Sequence, residues 1–124
     1  MDASAALAVD LPRAPEAPGL ARRRLVGSFG DSLEEDQLQT AALLTSELVT
    51  NALLHGRGAI TLLASLEADR LLVEVIDEGK GLLMPPAERG PDTVGGYGLR
   101  IVDREASRWG THAGTTHVWF ELEL

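Results

Sequence analysis

Apolar residues recur at helical spacing along much of the chain. A repeat of about 3.6 residues predicts amphipathic helices over residues 20–29, 32–56 and 99–109. The second of these is the clearest. Its apolar or small residues form one stripe, namely Leu38, Ala41, Ala42, Thr45, Leu48, Val49 and Ala52.

Both ends of this second helix carry signals of their own. Ser32 is followed three residues later by Glu35, a spacing that predicts a capping box at the start of the helix. Gly56 follows the last periodic residue, which predicts a glycine in the usual C′ role.

In three other segments nearly every second residue is apolar, so that one face of an extended chain would be apolar. This pattern predicts strands over residues 59–67, 71–77 and 116–124. Asp77 falls on the same face as the valines of its strand, and it needs a partner because an unpaired buried polar group costs about 1–3 kcal/mol. Residues 1–13 allow either a tail or a short edge strand.

This order of elements predicts an α+β fold: a two-layer sandwich with helices on one face of a mostly antiparallel sheet. We expect residues 1–14 to form the N-terminal tail or edge strand and residues 15–124 to form a single domain. A chain of 124 residues is long enough for one core, because a domain near this size buries roughly two-thirds of its unfolded surface.

Composition narrows the class of protein further. Hydrophobic residues make up 44% of the chain, which excludes disorder, and the net charge of −8 argues against nucleic acid as a partner. Cysteine is absent, so disulfides and thiolate metal sites are excluded. The N-terminal segment lacks the features of a secretory signal, and no stretch approaches the ~20 apolar residues of a membrane span. We therefore expect a cytoplasmic protein with no membrane partner.

Three polar residues fall on one face of the second helix near its end. Glu47, Asn51 and His55 are spaced four apart, and neighbours at that spacing touch. Asn51 is the only asparagine in the chain and is unfavourable within a helix, which favours a ligand role over a plain surface role. A carboxylate and an amide one turn apart suit hydrated magnesium, whereas His55 suits the helix C-terminus.

A glycine-rich segment over residues 78–98 follows the predicted strand 71–77 and begins next to Asp77. Asp77 could cap a turn into Gly79, but its inward position and the Gly-x-Gly that follows favour a role as acceptor for an exocyclic amine. Gly79 and Gly81 allow a flat ring to approach the backbone closely. A helix that begins near Gly98 offers N–H groups and a positive dipole end suited to phosphate.

Four ordered motifs now carry a family resemblance. "ELVTNALLHG", "DEGKG", "GGYGLRIVD" and "GTTHVWFEL" together resemble the ATP-binding (Bergerat-fold) domain of the GHKL superfamily. That superfamily includes gyrase, heat-shock chaperone, histidine kinase and mismatch-repair ATPases. The chain is most similar to the short anti-sigma-factor serine/threonine kinases of sporulation and stress-response switches. The resemblance covers about residues 15–124.

The resemblance implies a role for each matching residue. Glu47 would be the general base that takes a proton from a substrate serine, Asn51 would ligate Mg²⁺, and Asp77 would accept the adenine amino group. Two glycines would shape the adenine pocket, and a hydroxyl would support Asp77: these are Gly79, Gly81 and Thr116. The residues that the resemblance assigns to the phosphates are Arg89, Gly96, Gly98, Leu99 and Arg100.

The resemblance also implies a function. It predicts an ATP- and Mg²⁺-dependent kinase that holds a sigma factor inactive and phosphorylates an anti-anti-sigma (STAS-type) partner in bacterial transcription regulation. In the family the N-terminal strand helps pair subunits, which leaves a homodimer open for this chain. The alternative is a non-catalytic module that sequesters a regulatory protein. Glu47 argues against this alternative, because a pure binder needs no base.

Overall fold

The structure is a computed structural model that describes residues 5–79, 96–111 and 117–124, with the backbone alone for residues 5 and 96–99. In chain order the elements are β1 (Ala5–Leu11), α1 (Ala17–Phe29), α2 (Glu35–His55), β2 (Ile60–Glu67), β3 (Arg70–Ile76), α3 (Gly96–Glu105), β4 (Arg108–Thr111) and β5 (Val118–Glu123). Of the two states that the sequence allows for residues 1–13, the structure has the strand over Ala5–Leu11.

The five strands form one sheet in the order β1-β2-β3-β5-β4, and every pairing in it is antiparallel. Alternate residues of each central strand are buried under the helices, which is the arrangement that the period-two pattern predicts. The predicted α+β two-layer sandwich is confirmed. The side chains at the centre of the core are fully or almost fully buried: Leu25, Phe29, Leu44, Leu48, Ile60, Leu62, Leu71, Val73, Val75 and Phe120.

The start of α2 differs from the prediction. The helix begins after Glu34, whose backbone is extended, and Oε1 of Gln37 accepts a hydrogen bond of 3.0 Å from the Glu34 backbone N–H. The predicted capping box of Ser32 with Glu35 is therefore wrong by two residues. Glu35 and Asp36 instead lie in the first turn, where their negative charge favours the helix dipole.

The last predicted helix is also too long. It ends at Glu105, and residues 108–111 form the edge strand β4 instead of a further helical turn. Trp109 belongs to this strand, and its indole Nε1 donates a hydrogen bond of 2.8 Å to Oδ1 of Asp103. Pairing with β5 overrides the helical period at these positions.

On the sheet face away from the helices, two polar residues make contacts between strands. His117 is half-buried, with Nε2 2.6 Å from Oε2 of Glu74. The carboxylate of Glu121 is half-buried and lies 4.0 Å from Arg70 and 3.8 Å from Arg108. Strand register creates both contacts, and a single-strand pattern does not show them.

No helix in the described part of the chain has the length and apolar character needed to cross a membrane.

Candidate functional site

The polar face of α2 contains side chains whose hydrogen-bonding capacity is unused. Asn51 is only 4% exposed, and Glu47 and His55, one turn before and one turn after it, are half-buried. Oδ1 of Asn51 and Nε2 of His55 are both buried without a hydrogen-bond partner among the described residues. Because such atoms destabilise a folded protein, their presence in a row favours a ligand-binding role for this face.

Asp77 lies directly after β3 and is 9% exposed. Its Oδ1 accepts hydrogen bonds from the backbone N–H of Gly79 at 2.6 Å and of Arg57 at 3.3 Å. The buried acid thus has the partners that the sequence required. It also forms the turn into Gly79 that the alternative interpretation predicted, and at the same time it contacts the loop after α2.

Gly56 ends α2 for a different reason from the predicted one. Its φ of −90° is an ordinary extended conformation, so a left-handed C′ position is not what requires glycine here. A Cβ atom on Gly56 would lie 1.9 Å from Oδ2 of Asp77 and 2.7 Å from the carbonyl oxygen of Ala52. Glycine is required because the Asp77 carboxylate packs directly against the end of the helix.

Sequence reasoning missed Arg13, which lies between β1 and α1. Its Nε donates a hydrogen bond of 2.8 Å to the carbonyl oxygen of Gly58. One of its terminal nitrogens lies 3.2 Å from the carbonyl oxygens of both Ala52 and Leu53 in the last turn of α2. The partners are 39 to 45 residues away in sequence, so no local pattern signals the contact.

The predicted phosphate-binding residues are only partly described. Helix α3 begins at Gly96 and packs against α2, so its N-terminal backbone belongs to the same helical layer as the polar face. Gly98 and Leu99 lie in its first turn, and the side chain of Arg100 is exposed. The predicted positions Gly81, Arg89 and Thr116 lie outside the described residues.

The residues at this site are compatible with a magnesium ion. Oδ1 of Asn51 is a buried amide oxygen with no protein partner among the described residues, and oxygen is the ligand type that magnesium prefers. The described residues include no group of three or more His, Asp or Glu side chains that could hold a metal by themselves. An ion here would need waters and ligand oxygens as well, which is the usual coordination of Mg²⁺.

Sequence comparisons identify relatives of known type. An anti-sigma F factor from a Thermoanaerobacter species is 38% identical over 66 residues, which is 48% of this chain and 46% of that protein. An anti-sigma F factor from Clostridium acetobutylicum is 36% identical over 66 residues, with the same shares covered. The chain spans about half the length of the curated relatives it matches.

A much longer part of the chain matches a protein family. The histidine kinase-like ATPase domain matches residues 11–121, which include the helices, Asp77, β2, β3, β4 and most of β5, but only the last residue of β1. The match confirms the predicted GHKL resemblance, and membership of an ATPase family implies that ATP is the ligand. This protein belongs to the histidine kinase-like ATPase domain family.

Proposed function

We propose that the protein is a serine/threonine kinase of the anti-sigma-factor type. It binds ATP with Mg²⁺, sequesters a sigma factor, and phosphorylates an anti-anti-sigma partner of the STAS type. The observation that carries the proposal is the polar face of α2. There Glu47 precedes by one helical turn the buried Asn51, whose Oδ1 has no hydrogen-bond partner in the part of the chain that the structure describes.

Glu47 is the proposed general base. Its carboxylate is half-buried at a helix position whose neighbour one turn on, Asn51, would face the nucleotide phosphates. A carboxylate there can accept the proton of a serine hydroxyl as the hydroxyl oxygen attacks the terminal phosphorus. Catalysis of phosphoryl transfer depends mainly on such positioning and on electrostatic stabilisation.

The phosphates have two proposed points of attachment. The first is the N-terminus of α3, where the N–H groups of Gly96, Gly98 and Leu99 and the positive end of the helix dipole suit an anion. The second is the positive charge of Arg100 and Arg89. Asn51 would hold Mg²⁺, which when bound neutralises phosphate charge. This neutralisation matters in a protein whose own net charge is −8.

Adenine recognition is assigned to the end of β3. Asp77 is buried and held by backbone N–H groups, so its carboxylate has a fixed position from which to accept the adenine amino group. Gly79 and Gly81 would let the base approach the backbone, and the hydroxyl of Thr116 would support Asp77. A fixed acceptor gives selectivity because a 6-oxo purine has an acceptor oxygen in place of the 6-amino donor of adenine.

The partners are inferred from the names of the relatives. The matching proteins are anti-sigma F factors, which supports a sigma factor as the protein bound by this chain. The N-terminal edge strand β1 supports a homodimer, since an edge strand has unpaired backbone groups on one side. A protein that regulates a sigma factor in this way acts in the bacterial cytoplasm.

Phosphoryl transfer tests the proposal. Radiolabelled ATP with Mg²⁺ is incubated with the protein and a candidate serine-bearing anti-anti-sigma protein, using wild type and Glu47→Gln. We expect label on the partner with wild type and a loss of at least about 100-fold with Glu47→Gln. Both proteins should bind ATP equally, because the substitution keeps the shape of the side chain.

The alternative function gives the opposite result. If wild type binds ATP but transfers no label, or if Glu47→Gln transfers it as fast as wild type, the kinase proposal is wrong. Retained binding of a sigma factor by such a protein would identify a non-catalytic sequestering module.

A further inference from the structure

We propose that Arg13 is a positioning residue for the adenine pocket, holding the loop after α2 against Asp77 so that the protein selects ATP over 6-oxo purine nucleotides. This inference rests on the proposed nucleotide site and adds to it a residue 64 positions away in sequence from Asp77. The geometry that supports it is two sets of hydrogen bonds joined by the backbone of the loop: those of Arg13 to the helix end and to Gly58, and that of Arg57 to the Asp77 carboxylate.

The first step is the contact of Arg13 with the helix end. Its guanidinium donates to the carbonyl oxygens of Ala52 and Leu53 at 3.2 Å and to that of Gly58 at 2.8 Å. The carbonyl oxygen of Ala52 also accepts the N–H of Gly56 at 2.8 Å. The carbonyls of the last helical turn form the negative end of the helix dipole, which favours a cation there. One rigid, planar cation therefore joins the last turn of α2 to the loop that follows it.

The second step runs through the loop itself. Arg57 lies between the two glycines of the loop, and its backbone N–H and carbonyl groups both form hydrogen bonds with residues that follow β3. Its N–H donates to Oδ1 of Asp77 at 3.3 Å, and its carbonyl oxygen accepts from the N–H of Glu78 at 2.8 Å. The loop is thus attached to Arg13 on one side and to the end of β3 on the other.

Glycines on both sides of Arg57 show how closely these parts pack. A Cβ atom on Gly56 would lie 1.9 Å from Asp77, and one on Gly58, whose φ is +69°, would lie 1.9 Å from Oε1 of Glu78. A shift of the loop would therefore move the Asp77 carboxylate as well. Since selectivity for adenine depends on where that carboxylate points, we infer that losing Arg13 weakens selectivity more than it weakens nucleotide binding in general.

Two measurements on Arg13→Ala, Arg13→Lys and the control Arg22→Ala test the inference. Arg22 is exposed on α1 and has no hydrogen bond or ion pair with the residues that the structure describes. The first measurement is a ¹H–¹⁵N spectrum of the nucleotide-free protein, which reports the Arg57 and Gly79 amides that bond Asp77. The second is the ratio of the dissociation constants of inosine triphosphate and ATP, both with Mg²⁺.

For Arg13→Ala we expect both amide resonances to shift. The ratio of the dissociation constants of inosine triphosphate and ATP should fall by about fivefold, which corresponds to the free energy of one hydrogen bond. Arg13→Lys should recover part of the ratio, because an ammonium can reach a carbonyl but lacks the fork. Arg22→Ala should match wild type in both measurements. A lower melting temperature alone, with an unchanged ratio, would indicate a merely structural role and overturn the inference.

The two measurements separate this inference from the proposed function. Unchanged Arg57 and Gly79 resonances in Arg13→Ala would overturn the positioning role whether or not nucleotide binds. If wild type binds neither nucleotide, the proposed function fails and so does the claim of selectivity, while the spectrum still decides whether Arg13 holds the Asp77 loop.

Discussion

Helix α2 presents two faces that differ in what they contribute. On the face towards the sheet, Leu44, Leu48 and Val49 are fully buried among other apolar side chains. On the other face, Asn51 and His55 each bury a polar atom that has no hydrogen-bond partner among the described residues. The apolar side chains of the first face stabilise the fold. Unpaired polar atoms on the second face would lower stability in the free protein, and we infer that a ligand uses them.

Thr45 complicates this comparison, because it lies on the stripe that faces the core. It is fully buried, and its Oγ1 also lacks a hydrogen-bond partner among the described residues. If the two faces differ as we infer, an unpaired polar atom on the core face lowers the stability of the protein and contributes nothing to nucleotide binding. Substitutions on the two faces should therefore separate stability from nucleotide binding.

The largest expected effect is on the core face. Leu48→Ala removes a fully buried side chain, and we expect it to lower the free energy of unfolding by about 2–5 kcal/mol. Leu54→Ala, on the same helix but with 54% of the residue exposed, should change it by less than about 0.5 kcal/mol. Urea denaturation measures both. Equal losses for the two variants would mean that α2 does not pack as described.

The next effect concerns the junction of α2 with Asp77. Gly56→Ala places a methyl group where the Asp77 carboxylate lies, and overpacking of this kind costs about 1–3 kcal/mol. Gly27→Ala is the matched control, since nothing lies within 4 Å of its added methyl and a helix-interior alanine should gain about 0.5–1 kcal/mol. Thermal denaturation should give a lower melting temperature for Gly56→Ala and a higher one for Gly27→Ala. A neutral Gly56→Ala with normal ATP affinity would contradict the contact.

On the polar face, stability and binding should change in opposite directions. Asn51→Leu replaces a buried amide oxygen that has no partner among the described residues by an apolar group of similar shape, so the free protein should gain about 1 kcal/mol. The same change should abolish binding of ATP with Mg²⁺ in a calorimetric titration. Gln39→Leu, exposed on the same helix, should alter neither quantity. Full ATP binding by Asn51→Leu would remove the functional explanation of this face.

The smallest effect is expected at Thr45. Thr45→Val keeps the shape of the side chain and removes its unpaired hydroxyl, which should raise the free energy of unfolding by at most about 1 kcal/mol. ATP affinity should stay the same. Thr40→Val, at a half-buried position of the same helix, serves as the control for the change in side-chain type. If Thr45→Val weakens ATP binding, the core face also contributes to the nucleotide site, and the comparison of the two faces is wrong.

The fold was predictable because each strand and helix has its own period. Alternate residues in β2 and β3 are buried as the period of two requires, and the stripe of α2 lies in the core. The strand β4 was missed because it is four residues long and continues, in sequence, a convincing helical repeat. Its identity depends on pairing with β5, which lies further along the chain.

The site was predictable only in part, for a related reason. The spacing of Glu47, Asn51 and His55 places them on one face of a helix, and the structure has them there. The contact of Arg57 and Gly56 with Asp77 depends on how the elements pack, so their roles could not be read from local sequence. Contacts between distant strands, such as His117 with Glu74, are hidden in the same way.

The central claim is that the polar face of α2 and the Asp77 turn form one ATP site. Calorimetric titration of ATP with Mg²⁺ into wild type and Asp77→Asn tests it most directly. Asparagine keeps an oxygen for the N–H groups of Arg57 and Gly79 but replaces the other carboxylate oxygen by a donor. We predict binding in wild type and at least about a tenfold loss in the variant. A folded wild type that binds no ATP, or a variant that binds it equally well, would contradict the account.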